Sequence, residues 1–522
     1  MARNPEPTQA SEDLLAIQRM HTVDTDLSCV VAERVLRNRF RWSPGAHWRH
    51  WDGTRWADSN EAVPVEHIRA WLLGLLSEAA RLASISAERA DIVKRLTTLQ
   101  SAGRIGSIVK LCRGISGIYT DDASYDAFPL LLNTPTGVVD LMTGDIAEHP
   151  RPDLLMTRIT RGNYRSGFTH PDWAKALESL PAPEREWFQA RIGQAITGHP
   201  TPDGIMPVLQ GSGENGKSLL TTDGLVPALG DYGSLASAKL VAANRGGEHS
   251  TEMADLRGKR LLIAEEMTEG RALDVTMIKR IQDVGRIRAR AVYRDNMEFD
   301  ASHSLFVTTN YVPVVNETDH GTWRRLALLR FPYTFRKPGE PLDRPTDRAG
   351  DPGLKSRLRR GGEGQHDAAV TWAVEGALRV ARDGPTALAV TPTITADTLA
   401  WRGTADRILA YWSERLVADP AAMISAADLL DDFGGWLITN GHRAWSRETF
   451  GPRFAEHFLS QRHGVAQRRT RDVAGIARRP ATSPGWTMPQ SAPATAPSQP
   501  WVWSGVRWRT PADDTAGSAA VA

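Results

Sequence analysis

A chain of 522 residues is long enough for about three domains of roughly 150 residues each, so a single small fold is excluded. Hydrophobic residues make up 41% of it, no apolar run approaches the roughly 20 residues that span a bilayer, and the N-terminal segment lacks the apolar core of a secretory signal, so an intracellular protein with no membrane partner is expected. A formal net charge of +2 rules out a uniformly basic coat for nucleic acid, which makes any polyanion-binding surface local, and the lone Cys29 and Cys112 form neither a zinc cluster nor a disulfide framework.

In chain order, residues 1–22 are polar and expected to fray. Aromatic and polar residues alternate over 35–58, with Asp52-Gly53 between two such runs, which predicts a β-hairpin. From Val65 to Leu99 apolar residues recur three or four apart, as in a helix. Leu130 to Pro150 reads as short strands broken at Thr136-Gly137 and Thr143-Gly144. Between 190 and 335, apolar segments at 205–209, 260–264 and 304–308 alternate with helices and loops, the rhythm of a buried α/β sheet. A Pro/Gly-rich exposed connection is expected over 341–360, helices to 479, a Pro/Ala/Ser-rich linker over 480–500, a returning strand at 501–510 and a loose tail at 511–522. The 17 scattered tryptophans favour packing over base stacking.

The strongest motif is GSGENGKS, directly after the apolar IMPVLQ. Gly211, Ser212, Gly213, Glu214, Asn215 and Gly216 would curl backbone N–H groups around phosphate oxygens, and the following helix would add its positive end. Lys217 would meet the β and γ phosphates of ATP, Ser218 would offer a hydroxyl to magnesium (Mg2+), and Leu219 completes the loop. Acids to hold the metal and polarise water follow at the end of the apolar strand Leu261–Ala264: Glu266 is favoured as the catalytic acid, with Glu265 or Glu269 helping at the metal. A second buried strand, SLFVTTN, ends at Asn310, whose amide can orient water or sense the γ phosphate, or simply cap the strand. Arg324 and Arg325, before another apolar strand, suit either a surface pair or a guanidinium reaching into a neighbouring subunit's site.

Together these motifs resemble the superfamily 3 helicases, specifically the poxvirus-like primase–helicases of phages, plasmids and large DNA viruses. GSGENGKSLL is similar to the family's phosphate loop, GKRLLIAEE to its acid strand, FVTTNYVP to its sensor strand and DHGTWRRLALLRF to its arginine-finger region, in the same order. NTPTGVVDLMTGDIAEHP resembles a segment of the helicase-associated N-terminal domain, and the last region resembles a winged-helix module. The resemblance implies an AAA+-like P-loop NTPase core, a mixed helical N-terminal domain and a winged-helix-like C-terminal domain, with divisions at 23–185, 186–340, 341–360 and 361–479. It also implies a homo-oligomeric, hexameric ring that translocates on single-stranded or forked DNA during phage or plasmid replication in a bacterial cytoplasm. A replication initiator, primase or polymerase would be a partner. Residues 1–130 show no primase-like constellation, so primer synthesis is not expected of this chain.

One departure concerns the DNA-facing hairpin: the family's Gly-Gly-Asp order is missing from IQDVGRIRARAVYRD, which keeps Ile287, Ala289 and Arg290. The basic run nevertheless places Lys279, Arg280, Arg286, Arg288, Arg290 and Arg294 against the single acid Asp283, suited to following phosphates in a pore or, alternatively, to a solvated charged helix. A second basic group, Arg462, Arg468, Arg469, Arg471, Arg478 and Arg479, lies near the C-terminus. Two other readings share the phosphate loop: an ATP-dependent DNA loader or initiation factor without processive unwinding, and a metabolic kinase.

Overall fold

Eighteen strands fall into six sheets in the computed structural model, which describes residues 13, 23–82, 87–237, 240–241, 253–265, 272–282, 285–290, 296–315, 320–479 and 499–516. At the N-terminus, helix α1 (Asp24–Val31) precedes a meander of β1 (Phe40–Ser43), β2 (His47–Trp51) and β3 (Trp56–Asp58). The expected single hairpin is thus a three-stranded sheet. Asp52 makes its second turn by accepting the Thr54 and Arg55 amides at 2.9 Å. The first turn is held from afar: Asp122 accepts from Ser43 Oγ at 2.8 Å, Gly45 N at 2.8 Å and Ala46 N at 3.0 Å. Helices α2 (Ala62–Leu82), α3 (Ala87–Leu99) and α4 (Ala102–Cys112) complete this unit around Leu36, Phe40, Trp48, Leu72, Ile108 and Cys112. Burial there pushes the Cys112 thiol up to about 12, so it behaves as an apolar filler.

The predicted short strands appear as an antiparallel meander of β4 (Leu131–Thr134), β5 (Gly137–Asp140) and β6 (Ile146–Glu148). Helices α5 (Pro171–Leu177) and α6 (Ala182–Ile196) lead to the central sheet. That sheet contains β7 (Met206–Gln210), β8 (Gly233–Ser237), β9 (Leu261–Glu265), β12 (Ser304–Thr309) and β13 (Leu326–Arg330), all parallel, in the order β13-β7-β12-β9-β8. An antiparallel hairpin of β10 (Arg286–Arg290) and β11 (Asn296–Asp300) is inserted before β12, and short helices α8 (Val226–Leu229) and α10 (His320–Trp323) precede β8 and β13. Every residue of β12 is buried, as a middle parallel strand covered on both faces requires. This five-stranded parallel sheet with helices on its faces is the mixed α/β, P-loop-type core that the sequence predicts.

The divisions expected at 185/186 and 360/361 run through shared packing. Leu132, Val139, Trp187 and Phe188 lie in one core with Leu209, Ile263 and Phe306, and with Ala369, Trp372 and Ala373 from a later helix. Arg260, fully buried at the start of β9, pins the seam: it donates to Ile196 O at 2.6 Å and Leu131 O at 2.8 Å while lying 4.5 Å over the Tyr232 ring.

The Pro/Gly-rich stretch over 341–360 is more than a connection. Its β15 (Asp347–Ala349) pairs in parallel with β14 (Thr334–Arg336), and helix α11 (Leu354–Arg360) packs back on the core through Leu354 and Leu358. After helices α12 (Gln365–Asp383) and α13 (Pro392–Ala405), the last unit runs α14 (Arg407–Arg415), β16 (Leu416–Ser425), α15 (Ala426–Thr439), α16 (Arg447–Glu456), α17 (Phe458–Arg462), β17 (Ala466–Arg469) and β18 (Trp501–Trp508). The returning strand β18 takes the centre of an antiparallel sheet ordered β16-β18-β17. Arg479, expected among the surface arginines, is instead drawn in beside buried Asp432, which also accepts the Tyr411 hydroxyl at 2.5 Å. The tail expected to be loose begins with a short helix, α18 (Pro511–Ala516), where the Arg507 guanidinium holds the Asp513 carboxyl well below its usual range. Among the described residues no helix is long and apolar enough to cross a membrane.

His303, in the link from β11 to β12, gives this core a pH dependence. Burial lowers its imidazole from 6.5 to about 4. Between those values the unfolded chain holds the extra proton, so stability falls as pH drops, by about 1.4 kcal/mol per pH unit. His303→Phe is expected to flatten that slope between pH 6.5 and 4 in urea-unfolding midpoints; an unchanged slope would assign the acid sensitivity elsewhere.

Candidate nucleotide site

The loop between β7 and helix α7 (Lys217–Leu220) turns through an unusual run of backbone: Gly213, Glu214 and Gly216 have φ of 104°, 48° and 83°. Successive left-handed residues aim their amides toward a common concavity. Glu214 does this without the freedom of glycine, a strain of about 1 kcal/mol or more at the loop's tip. Two glycines are fixed by contact. A Cβ on Gly211 would sit 1.7 Å from Asn215 Nδ2, and one on Gly216 would sit 2.5 Å from Ser179 Cβ. Asn215 is buried beneath the loop and accepts the Lys217 amide at 3.2 Å. Ser212, Glu214 and Ser218 are exposed, whereas Leu219 is half-buried.

Lys217 is 6% exposed. Its ammonium donates to Thr309 O at 2.7 Å, Asn310 Oδ1 at 2.9 Å and Gly211 O at 3.2 Å. Sheet order explains this meeting. Thr309 pairs with Gln210 where β12 lies beside β7, so the two strands end together and present their carbonyls and Asn310 to the lysine. On the other side of β12, strand β9 ends at Glu265, whose carboxylate accepts from Thr222 Oγ1 at 2.8 Å. Alternation puts Glu265 on the face of Leu261 and Ile263, which share a core with Leu220 and Leu225 from the loop's own helix. The structure therefore brings together the loop, Lys217, Asn310 and Glu265. Glu266 and Glu269 lie outside the described residues.

The arginine pair occupies the other end of the sheet. Arg325 O accepts from Met206 N at 2.7 Å, beside the start of β7, whereas the glycine-rich loop follows its end. Five strand residues separate the two levels, about 17 Å at ~3.3 Å per residue. Arg324 is exposed; Arg325 turns back to donate to Gly321 O. Trp323 anchors the pair, 5% exposed and edge-on to Trp401 with centroids 5.2 Å apart.

The basic run divides. Lys279 and Arg280 belong to helix α9 (Val275–Gln282), while Arg286, Arg288 and Arg290 alternate along β10. Arg286 stands opposite Asp300 and Arg288 opposite Glu298, and an exposed ion pair joins Arg286 to Asp300 at 3.1 Å. Counting charge only through Arg294 missed these facing acids. The side chains of Arg288 and Arg290, and all of Arg294, lie outside the described residues.

Sequence reasoning also missed a cavity of about 340 Å3 against the loop, lined by Glu214, Gly216 and Leu219 with Lys175, Phe335, Leu354 and Lys355. The Phe335 amide donates to Glu214 O at 2.7 Å, which fixes β14 beside the loop. Buried Asp223, from the helical turn behind the loop, accepts from Arg359 Nε at 2.9 Å and pairs with Lys355 at 3.5 Å. Arg357 of the same helix α11 is 2.7 Å from Asp172 and holds that carboxyl down to about 2. The nearest sequence signal was the aromatic FPYTF after the arginine strand.

Among the described residues there is no group of three or more His, Cys, Asp or Glu suited to a metal. The oxygens on offer, the Ser218 hydroxyl and Glu265 carboxylate, suit a hard ion such as magnesium that brings its remaining ligands with the substrate's phosphates.

Comparison with known proteins bears on both halves of the chain. The family model described as "D5 N terminal like" matches residues 30–180, and that of a family of unknown function matches residues 209–325. A protein of Acanthamoeba polyphaga mimivirus, provisionally named helicase L207/L206, is 25% identical over 315 residues, 56% of this chain and 32% of its own length. African swine fever virus protein C962R, provisionally named a primase, is 24% identical over 334 residues, 60% of this chain and 34% of its own. This chain thus spans about a third of the length of these curated relatives. A solved structure of the NrS-1 C-terminal region aligns with 58% of this chain and 65% of its own, at 11% identity and a TM-score of 0.34. The match of the N-terminal segment to the D5 N-terminal-like model and the similarity to these two viral proteins support a relationship to the primase–helicases of phages and large DNA viruses.

Proposed function

We propose that the chain is an ATP-hydrolysing DNA helicase motor that works as a homo-oligomeric ring, a hexamer by resemblance, translocating on single-stranded DNA during replication of a phage or mobile element in a bacterial cytoplasm. The observation that carries this reading is the convergence of Lys217, Asn310 and Glu265 at the ends of adjacent parallel strands. All three ammonium protons of Lys217 can be taken by Gly211 O, Thr309 O and Asn310 Oδ1. An incoming γ phosphate has to displace part of that shell, which links phosphate binding directly to the Asn310 amide. Asn310 would then orient the water whose oxygen bonds the γ phosphorus as the bond to the β-phosphate oxygen breaks and ADP leaves, Glu266 would take that water's proton, and Ser218 with Glu265 would hold the metal. When bound there, magnesium would supply charge neutralisation at the phosphates.

Arg324 is the better candidate for the finger, since it is exposed while Arg325 is turned onto Gly321. Its distance from its own loop directs it to a neighbour's site. The cavity beside Gly216 and Phe335 receives the base end of the nucleotide. The β10–β11 hairpin, with Arg286, Arg288, Arg290 and Arg294, faces the strand, and the unit from Arg407 to Trp508 serves as a winged-helix module. A replication initiator, primase or polymerase is its partner in the replication complex.

One observation favours the second reading, a loader or initiation factor that does not unwind processively. Asp300 and Glu298 facing Arg286 and Arg288 weaken the hairpin's hold on phosphates. ATP hydrolysis stimulated by DNA without strand separation at a fork would decide for it.

Lys217→Ala is expected to lower ATP turnover at least about 100-fold and to abolish fork unwinding; wild-type unwinding by the variant would remove the proposed site. In rings mixed from Arg324→Ala and Lys217→Ala subunits, hydrolysis should recover at those interfaces where an intact loop meets an intact arginine. A strictly additive loss would place Arg324 outside any neighbour's site. Gly216→Ala, strained by its φ of 83° and the contact with Ser179, should weaken ATP binding at least about tenfold in calorimetry, and Ser179→Gly should restore only the steric part. Full recovery in the double variant would show that backbone conformation at Gly216 is unimportant.

A further inference from the structure

The N-terminal unit holds a second cavity, about 440 Å3, that the motor reading does not use. Trp42, Trp48, His47, Arg113, Asp58 and Glu61 are among its lining residues. Trp42 is only half-buried, although the β1–β2 register pairs it with buried Trp48 and long-range bonds clamp its backbone: its amide donates to Ile118 O at 2.8 Å and its carbonyl accepts from Thr120 N at 2.9 Å. The Arg113 guanidinium lies 5.5 Å from the Trp42 ring centroid and donates to Glu61 at 2.5 Å. Exposed Tyr119 tilts against the same indole at 6.2 Å. His47, at the mouth, is exposed and has a φ of 60°, a conformation that a non-glycine side chain rarely adopts and that clusters at ligand sites.

The chemistry of these walls selects among ligands. Two carboxylates against one guanidinium disfavour a bare phosphate. Both carboxylates already sit in ion pairs, Glu61 with Arg113 and Asp58 with Arg49 at 3.1 Å, so they do not make a cation cage. An indole, a guanidinium plane and a carboxylate together suit a flat, uncharged group whose edge carries both donors and acceptors, which describes a nucleobase. We propose that this cavity binds one unpaired base of the DNA single strand, stacked on Trp42 and read at its edge by Arg113 and Glu61. The proposal rests on the reading that the chain engages single-stranded DNA, but it places a contact in the N-terminal unit, on residues other than those of the proposed pore hairpin.

The test uses the full chain, without nucleotide, and an oligodeoxynucleotide carrying 5-iodouracil, photo-cross-linked and mapped by peptide mass spectrometry. An adduct on Trp42 or His47, competed by unlabelled single strand and not by free nucleoside triphosphates, is the expected result. Strand adducts confined to other segments would overturn the site while leaving DNA binding intact, whereas no strand affinity at all would overturn the helicase reading as well. Labelling of Trp42 by free 5-iodo-deoxyuridine triphosphate alone would overturn the strand as the source of the base. Trp42→Ala should weaken strand binding between about fivefold and a hundredfold in fluorescence anisotropy, and Glu61→Gln, which keeps the fold's exposed position but alters the hydrogen-bonding edge, should change the preference among homopolymers. If Trp42→Ala dissociates the assembly and leaves strand affinity unchanged, the face is a subunit contact and the proposal fails.

Discussion

The lysine at the joined ends of β7 and β12 is the contact on which the rest of this architecture turns. A buried ammonium is costly unless all its protons find acceptors, and Lys217 finds them in two strand-end carbonyls and one amide side chain. Two of those acceptors, Thr309 O and the Asn310 amide, reach the lysine because β12 is inserted between β7 and β9. The same insertion spaces Glu265 one strand further out, where it meets Thr222 from the loop's helix. Strand order and local chemistry are thus two descriptions of one constraint.

That constraint is supported from behind rather than from within the loop. Strain at Glu214 has to be balanced by packing elsewhere. The balance comes from buried Asn215 under the loop, from the Phe335 amide on Glu214 O, and from Asp223, which ties the helix behind the loop to α11. Arg260 extends the support to the β4–β6 meander, tying β4 and α6 to the start of β9. A change in the loop's occupancy would therefore be felt at α11 and β14, the elements that wall the adjoining cavity.

The glycine-rich loop was legible because strand, glycines and helix start are contiguous in the chain, and the strands ending at Glu265 and Asn310 were legible because each is a short apolar run with a polar end. What was not legible depends on residues brought together from afar. Asp122 shapes the turn after β1, and Phe335 and Lys175 meet Gly216 only in space. Charge along the chain hid two pairings for the same reason: Asp300 and Glu298 stand in register with Arg286 and Arg288, and Asp432 draws Arg479 inward. Proline and glycine content marked 341–360 as a connection, yet the ion pairs of Arg357 and Arg359 anchor its helix to the core. Composition reports what a segment can do alone, and these segments are held by partners elsewhere.

Parallel sheets have two unlike ends, and this difference bears on assembly. All the groups suited to a nucleotide's phosphates lie where β7, β12 and β9 finish, while the arginines lie where β13 begins. A side chain of about 7 Å reach cannot cross a separation of about 17 Å. On the proposed mechanism, each chain thus carries both halves of a catalytic site at positions where it cannot join them itself. Such a pairing of unlike surfaces would be heterologous, and a ring results where the rotation between subunits closes on itself. Oligomerisation would then be a consequence of strand polarity, with the arginine's anchoring by Trp323 and Trp401 setting how rigidly one subunit addresses the next.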